Sequence, residues 1–272
     1  MTVVINRDVN ARRKDYRHLG NGQVLVTSIF PTLQGEGPFA GRSAVFVRLA
    51  GCNLGAKKSC PWCDTSFTLS KGERMLDHEV EYRARCKLRP NCPPTDRLMV
   101  LTGGEPLMQP SAAILINYFL EKRWQVQVET NGYFWSEDLE MLAAHWRQDF
   151  TVVLSPKVAQ DGKYPKMGRA LLAAACLKIL VDADPDSLYH KVPDFADYFA
   201  QTTGRPVYVS PINHYLRAPM EGEVASFWSR HPHKYDLFDW ERCQKNHEYA
   251  AVLAMERGYR LSLQTHLFAA VE

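Results

Sequence analysis

No long apolar run occurs in the 272 residues, so no segment reads as a transmembrane helix. An excess of one charge is missing too. Thirty-three basic against thirty acidic residues leave +3, too little to argue for a nucleic-acid or membrane surface. The stretch 1–22 carries Arg7, Arg12, Arg13, Lys14, Arg17 and His18 but no apolar h-region. It reads as a polar, solvated arm ahead of one domain, 23–272. Internal repeats, low-complexity tracts and His-x-x-x-His pairs are absent. The seven cysteines are an odd number in a chain long enough to bury a core without staples. They point to thiols or metal ligands in a reducing, cytoplasmic setting rather than a disulfide framework.

What is present is an alternation of short β-branched runs with amphipathic stretches. The pattern predicts strands at 24–30, 44–49, 98–101, 125–128, 151–154, 177–181, 207–209 and 261–264. Helices are predicted at 77–87, from about 110, at 137–147, 169–175, over most of 186–203 with Pro193 breaking or starting a segment, and at 247–257. The last ends at Gly258 in the C′ position. Such alternation implies an α/β fold with a mainly parallel sheet, whose sites gather beyond the carboxyl ends of the strands. Nearly every predicted strand stops at small or polar residues, among them Gly51-Cys52, Thr102-Gly103-Gly104-Glu105, Glu129-Thr130-Asn131, Ser155-Pro156-Lys157, Asp182, Ser210-Pro211-Ile212-Asn213 and Gln264-Thr265-His266.

The first of these ends opens a loop with three cysteines, Cys52, Cys60 and Cys63, the last two as Cys-Pro-Trp-Cys. Three ligands are one short of a structural zinc site and of the usual iron–sulfur complement. An open position is what a catalytic metal or cluster needs. The competing readings are a zinc knuckle with a distant fourth ligand, for which His78, Cys86 and Cys92 are near in sequence, or unrelated buried thiols. Gly103 and Gly104 let backbone approach a ligand, and Glu105 can accept hydrogen bonds from an amine; alone, the pair is a tight βα turn. Phe30-Pro-Thr-Leu-Gln-Gly-Glu-Gly-Pro38 exposes backbone and short polar groups suited to a flat heterocycle, or is a turn between strands. Arg48 stands in an apolar strand and needs a carboxylate, of protein or substrate. Asp64-Thr65 offers a hydroxyl for magnesium, or a cap.

Together these residues resemble the radical S-adenosylmethionine enzymes. More narrowly, Leu33-Gln-Gly-Glu-Gly, Phe46-Val-Arg-Leu-Ala-Gly-Cys-Asn-Leu, Cys60-Pro-Trp-Cys-Asp-Thr, Leu101-Thr-Gly-Gly-Glu-Pro, Glu129-Thr-Asn-Gly and Ser155-Pro-Lys are similar to the 7-carboxy-7-deazaguanine synthase (QueE) family, from about Ser28 to His266. The resemblance implies a partial (βα)6 barrel. It implies a [4Fe–4S] cluster on Cys52, Cys60 and Cys63. S-adenosylmethionine would lie against Trp62, Gly104, Ser155, Pro156 and Lys157, and Mg2+ on Thr65. A 6-carboxy-5,6,7,8-tetrahydropterin would be held by Leu33, Gln34, Gly35, Arg48 and Thr102. The implied reaction is a radical ring contraction to 7-carboxy-7-deazaguanine with loss of ammonia, a carbon–nitrogen lyase step of queuosine-type biosynthesis. No residue is assigned a catalytic role of its own, since the cofactor carries the radical chemistry. The implied partners are a flavodoxin or ferredoxin as electron donor and a second copy of the chain as homodimer, with no membrane and no direct nucleic-acid contact. Seven residues separate Cys52 from Cys60, more than the family commonly has. Two alternatives remain: an activase that makes a glycyl radical on a partner, and a zinc-bearing module without catalysis.

Overall fold

A computed structural model describes residues 16, 18–54, 60, 62–63, 72–159, 161–217, 227, 237–269 and 271. Among these, nine strands form one sheet in the order β3-β1-β2-β4-β5-β6-β7-β8-β9. The first, β1 (Val24–Leu33), pairs antiparallel with both β2 (Ser43–Leu49) and β3 (Glu73–Met75). All later pairings are parallel: β4 (Leu98–Gly103), β5 (Gln125–Thr130), β6 (Phe150–Leu154), β7 (Cys176–Val181), β8 (Val207–Pro211) and β9 (Arg260–Leu261). The helices α1 (Asp77–Arg85), α2 (Ala112–Glu121), α3 (Glu137–His145), α4 (Gly168–Ala173), α5 (Asp194–Thr203) and α6 (Trp240–Arg257) connect them, and α7 (Thr265–Ala269) follows β9. This is an α/β fold, a partial (βα)6 barrel built on the parallel strands β2 and β4 to β8. No helix among the described residues is long and apolar enough to cross a membrane.

Side chains alternate between the two faces of each strand. Val45, Val47, Met99, Leu101, Val126, Val128 and Val152 join α1, α2 and α3 in one outer core. Leu154, Leu177, Ile179, Val207 and Val209 join α4, α5 and α6 in a second. The opposite face lines the barrel. Its lower part is apolar, with Ala44, Leu98 and Val100 beside Phe39 and Phe46, and with Val153, Cys176 and Tyr208. One step up, the inward positions become Arg48, Thr102, Glu129, Lys178 and Ser210. The barrel is therefore plugged below and polar above.

The open side is bridged at the rim. Thr265 donates its N–H and its hydroxyl to Gly35 O, each at 3.1 Å, and Gly37 N–H donates to Ser262 Oγ at 3.3 Å. The loop after β1 is thus tied to the segment after β9.

The structure departs from the sequence-based elements in several places. The first strand runs on to Leu33, taking Pro31 and Thr32 into register with Val45 and Ala44. The helix expected over most of 186–203 starts only at Asp194, after Pro193 in an extended N-cap. The helix expected at 247–257 begins at Trp240, because Asp239 accepts the N–H of Arg242 at 3.1 Å and caps it there. It does end at Gly258, in the left-handed conformation at φ 67°, but it is not the last helix. The last strand is Arg260–Leu261 rather than 261–264. Tyr16 and Leu19, expected in a solvated arm, are buried beside Leu25 and Ala50.

Candidate active site

The polar upper layer encloses a cavity of about 590 Å³, within the range usual for small-molecule sites. Its floor is a charged network. Lys178 donates to Glu36 Oε2 and to Glu129 Oε2, each at 2.9 Å. The other oxygen of Glu129 accepts the amides of Gln34 and Gln127, both at 3.0 Å, and Ser210 Oγ donates to Glu36 Oε1 at 3.0 Å. Burial alone would raise Glu36. The charge and hydrogen bond of Lys178, helped by His266 and Ser210, outweigh it and hold that carboxyl below its ordinary value. Burial alone would lower Lys178, but Glu129 and Glu36 hold the ammonium well above its ordinary range. Two carboxyl groups thus share one ammonium, and Lys157 of the same wall lies close enough to interact with both.

The cysteine loop leaves β2 beside the exit of β4, and the two exits are fastened together. A Cβ on Gly103, at φ 151°, would overlap Leu49 O, so only glycine permits the approach. Glu105 N–H donates to Gly51 O at 3.0 Å. Buried Gln109 accepts Leu25 N–H at 2.8 Å and donates to Leu25 O at 2.8 Å and to Ala50 O at 2.9 Å. Asn131 donates to Asn53 Oδ1 at 2.9 Å, tying the end of β5 to the residue after Cys52. Cys52, Cys60 and Cys63 all line the cavity, and none of the seven cysteines is in a disulfide. Burial pushes the Cys60 thiol up; nearby Lys157 opposes that and neighbouring Cys52 adds to it.

Glu105 lines the cavity as well. Its carboxylate accepts Thr130 Oγ1 at 2.6 Å, Asn131 N–H at 2.7 Å and Leu107 N–H at 3.1 Å. These bonds brace the β4 and β5 exits against each other. Burial pushes the Glu105 carboxyl up to about 7 despite the three donors, of which Thr130 opposes most.

The cavity wall brings together Cys52, Cys60, Trp62, Cys63, Thr102, Gly104, Ser155 and Lys157 from the sequence-predicted set. Lys157 donates to Ser155 O at 2.8 Å and to Ser155 Oγ at 2.7 Å; burial, then the charge of Lys178, lowers its pKa. Pro156 lies between these two wall residues. Gln34 reaches the wall through Glu129. Gly35 packs against His266 so closely that a Cβ would overlap Nδ1. Arg48 sits beside Thr102 in register, its guanidinium 5.0 Å from the Phe30 ring centre, and its buried Nε has no partner among the described residues. Leu33 is not brought in. It is 36% exposed at the end of β1, opposite Ser43. Thr65, expected to bind magnesium, lies outside the described residues, as does Asp64.

Sequence reasoning missed Glu36 and Lys178 as a pair; the strand-end residues Asn213 and Gln264, named there with the other strand ends but given no role, share the wall and are joined at 2.6 Å. A signal for Lys178 existed: like Arg48, it is a cation inside an apolar strand, Cys-Leu-Lys-Ile-Leu-Val. Among the described residues no three His, Cys, Asp or Glu side chains stand close enough to hold one metal ion. The zinc reading with His78, Cys86 or Cys92 therefore gains nothing from the structure. A four-iron cluster sets a different requirement, because each thiolate binds a different iron and the sulfurs stand farther apart.

The chain is 33% identical over 255 residues to the 7-carboxy-7-deazaguanine synthase of Rickettsia prowazekii, covering 93% of this chain and 91% of that one. It is 32% identical over 255 residues to the enzyme of that name from Rhodospirillum rubrum, covering 91% and 92%. No protein-family model matches the chain. The crystal structure of QueE from Escherichia coli superposes with a TM-score of 0.58 at 22% identity, covering 93% of this chain and 98% of that chain. That likeness bears on the fold.

Proposed function

Because the chain belongs to the 7-carboxy-7-deazaguanine synthase family, we propose that the cavity above its charged floor is where a carboxylated pterin is contracted. The chain is a radical S-adenosylmethionine lyase of 7-deazapurine biosynthesis. It converts 6-carboxy-5,6,7,8-tetrahydropterin to 7-carboxy-7-deazaguanine and ammonia, a conversion that balances without a net oxidant. The supporting observation is convergence: eight of the expected cofactor and substrate residues line one cavity, although they come from three different strand ends.

In this reading Cys52, Cys60 and Cys63 hold a [4Fe–4S] cluster with one iron left for S-adenosylmethionine. The donor set suits it: three thiols in one wall, with no carboxylate or imidazole among them. Trp62 offers a flat surface for adenine, Gly104 a backbone without a side chain, and Ser155, Pro156 and Lys157 the rest of that seat. When bound, these groups supply the one-electron chemistry that starts hydrogen abstraction. The chain's own work is to orient the substrate and keep water away from it. Arg48, whose buried Nε has no hydrogen-bond partner among the described residues, receives the substrate carboxylate beside Thr102. The carboxylates of Glu36 and Glu129 accept the N–H donors of the pterin's amidine edge, with Gln34 and Gly35 alongside, and Leu33 is proposed on its sequence position alone. Thr65 is the residue proposed for Mg2+ on its sequence position.

We keep 23–272 as the catalytic domain and 1–22 as an arm anchored by Tyr16 and Leu19. A homodimer, a flavodoxin or ferredoxin donor and a cytoplasmic, reducing setting complete the proposal, the last in keeping with seven thiols. The deciding experiment is anaerobic reconstitution followed by incubation of the reduced protein with the carboxypterin. Bound iron and sulfide with release of 7-carboxy-7-deazaguanine and ammonia support the reading. Iron without product counts for the activase, and absence of iron counts against the cluster.

A further inference from the structure

Tyr189 belongs to none of the sequence motifs. It lies in the turn after β7 and is 3% exposed. Its ring meets Trp62 nearly at right angles, with centres 4.9 Å apart and planes at 86°. Its phenol oxygen accepts the backbone N–H of Val158 at 2.9 Å. Its own backbone is pinned, since Asp182 N–H donates to Tyr189 O at 3.1 Å and Tyr189 N–H donates to Ser187 Oγ at 3.3 Å. One rigid side chain therefore touches two walls of the cavity: the Cys-Pro-Trp-Cys turn, and the segment that follows Lys157.

We infer that Tyr189 is a positioning residue for the adenosine part of S-adenosylmethionine. It selects one orientation of the Trp62 ring and fixes how far the Ser155-Pro156-Lys157 segment stands from it. The inference rests on the reading of this cleft given above. A partly exposed indole on a short loop has several rotamers open to it. An edge-on aromatic contact with a ring that is itself held by backbone hydrogen bonds leaves one. The hydroxyl adds a second, separable function. Without it Val158 N–H loses its acceptor in a buried place, and the segment before it loses its stop.

The test uses the reconstituted full chain and equilibrium dialysis of S-adenosylmethionine and, separately, of the carboxypterin. The proteins are the parent, Y189F, Y189L, W62L and W62L/Y189L. Y189F keeps the ring and loses the acceptor, so S-adenosylmethionine binding weakens about three- to tenfold. Y189L loses both contacts and weakens it further. In the W62L background the Y189L change costs no more than Y189F costs in the parent, because the Trp62 contact is already gone. Carboxypterin affinity stays at the parent value, and the loss appears in KM for S-adenosylmethionine rather than in kcat. If Y189L fails to fold, Y189F carries the test. Parent-like binding in Y189F and Y189L, full additivity in the double variant, or equal loss of both ligands would overturn the inference alone. A parent that binds no S-adenosylmethionine overturns the cleft reading and the inference with it.

Discussion

The ammonium of Lys178 reaches past β6 to Glu129 Oε2 at 2.9 Å, joining β5 to β7 across the barrel interior. Its second partner, Glu36, comes from the loop after β1, so one side chain holds three distant parts of the chain around the cavity floor. All three groups are largely buried, with side-chain exposures of 7%, 17% and 13% for Lys178, Glu129 and Glu36. Removing the cation leaves two buried carboxylates without compensation, a loss that typically costs about 3–5 kcal/mol. K178M should lower the urea midpoint accordingly. It should also reverse part of the pH dependence. In the parent, Glu36 is held below its ordinary value, so its contribution is present above the unfolded pKa and is lost as pH falls through the folded one. Without Lys178, burial dominates and raises Glu36, so acidification should now stabilise. Unfolding free energies at pH 4.5 and pH 7.5 in both proteins check the sign.

Glu105 titrates in the opposite sense. Its folded pKa is pushed up to about 7 by burial from an ordinary 4.5. The folded protein therefore binds the proton more tightly than the unfolded chain. The resulting stability is fully present below about pH 4.5 and is lost as pH rises through about 7, by roughly 3 kcal/mol at 1.36 kcal/mol per unit. E105Q cannot ionise, so the difference in stability between parent and variant should change by about that amount across this window. Urea unfolding of cluster-free protein at pH 4.5 and pH 8 measures it. A constant difference would place the Glu105 pKa near that of an ordinary carboxyl.

Gln109 fastens three backbone groups just before the cysteine loop, and its orientation is fixed because a backbone N–H faces one end of its amide and two carbonyls the other. Q109M keeps the length and removes all three bonds. Leu25 O retains Ala50 N–H as a partner, so the uncompensated groups are Leu25 N–H and Ala50 O. At about 1–3 kcal/mol for a buried unsatisfied group, the expected loss is roughly 2–4 kcal/mol. Hydrogen exchange should locate it, with Leu25 and Ala50 losing protection ahead of the β7–β8 pairing. Unchanged exchange at these two amides would mean that the clasp is dispensable.

The alternation of strands and helices was legible because parallel strands buried on both faces read as continuous β-branched runs. The candidate site was legible where rare residues concentrate in one loop, as at Cys52, Cys60 and Cys63, which line one cavity. Lys178 was not, because its meaning depends on which face of β7 looks into the barrel, and that follows only from closure of the sheet. The start of α6 was hidden for a different reason. Its buried face is Cys243, Asn246, Ala250 and Ala254, too small and polar to make an apolar stripe. Asn246 sits there because its amide accepts Ala183 N–H at 2.8 Å and donates to Ile212 O at 2.7 Å. Tyr189 acts through packing between loops far apart in sequence, for which no local pattern exists.

Gly35 gives the sharpest separation of stability from binding. The position needs closeness rather than an unusual backbone, because a Cβ there would overlap His266 Nδ1. His266 is only half-buried, so its ring can swing outward in G35A, and the variant should fold with a loss of about 1 kcal/mol, the low end for overpacking. The swing removes the imidazole from Glu36, whose carboxyl it helps keep ionised. It also loosens the bridge in which Thr265 donates twice to Gly35 O. That bridge holds the loop carrying Gln34, and Gln34 in turn donates to Glu129. The carboxypterin KM should therefore rise about tenfold, equivalent to about 1.4 kcal/mol, while binding of S-adenosylmethionine on the opposite wall stays unchanged. H266A in the same chain removes the clash, so G35A/H266A should recover the lost stability and, if displacement of the loop is the cause, most of the KM. A KM that stays high in the double variant would instead assign the effect to the imidazole itself.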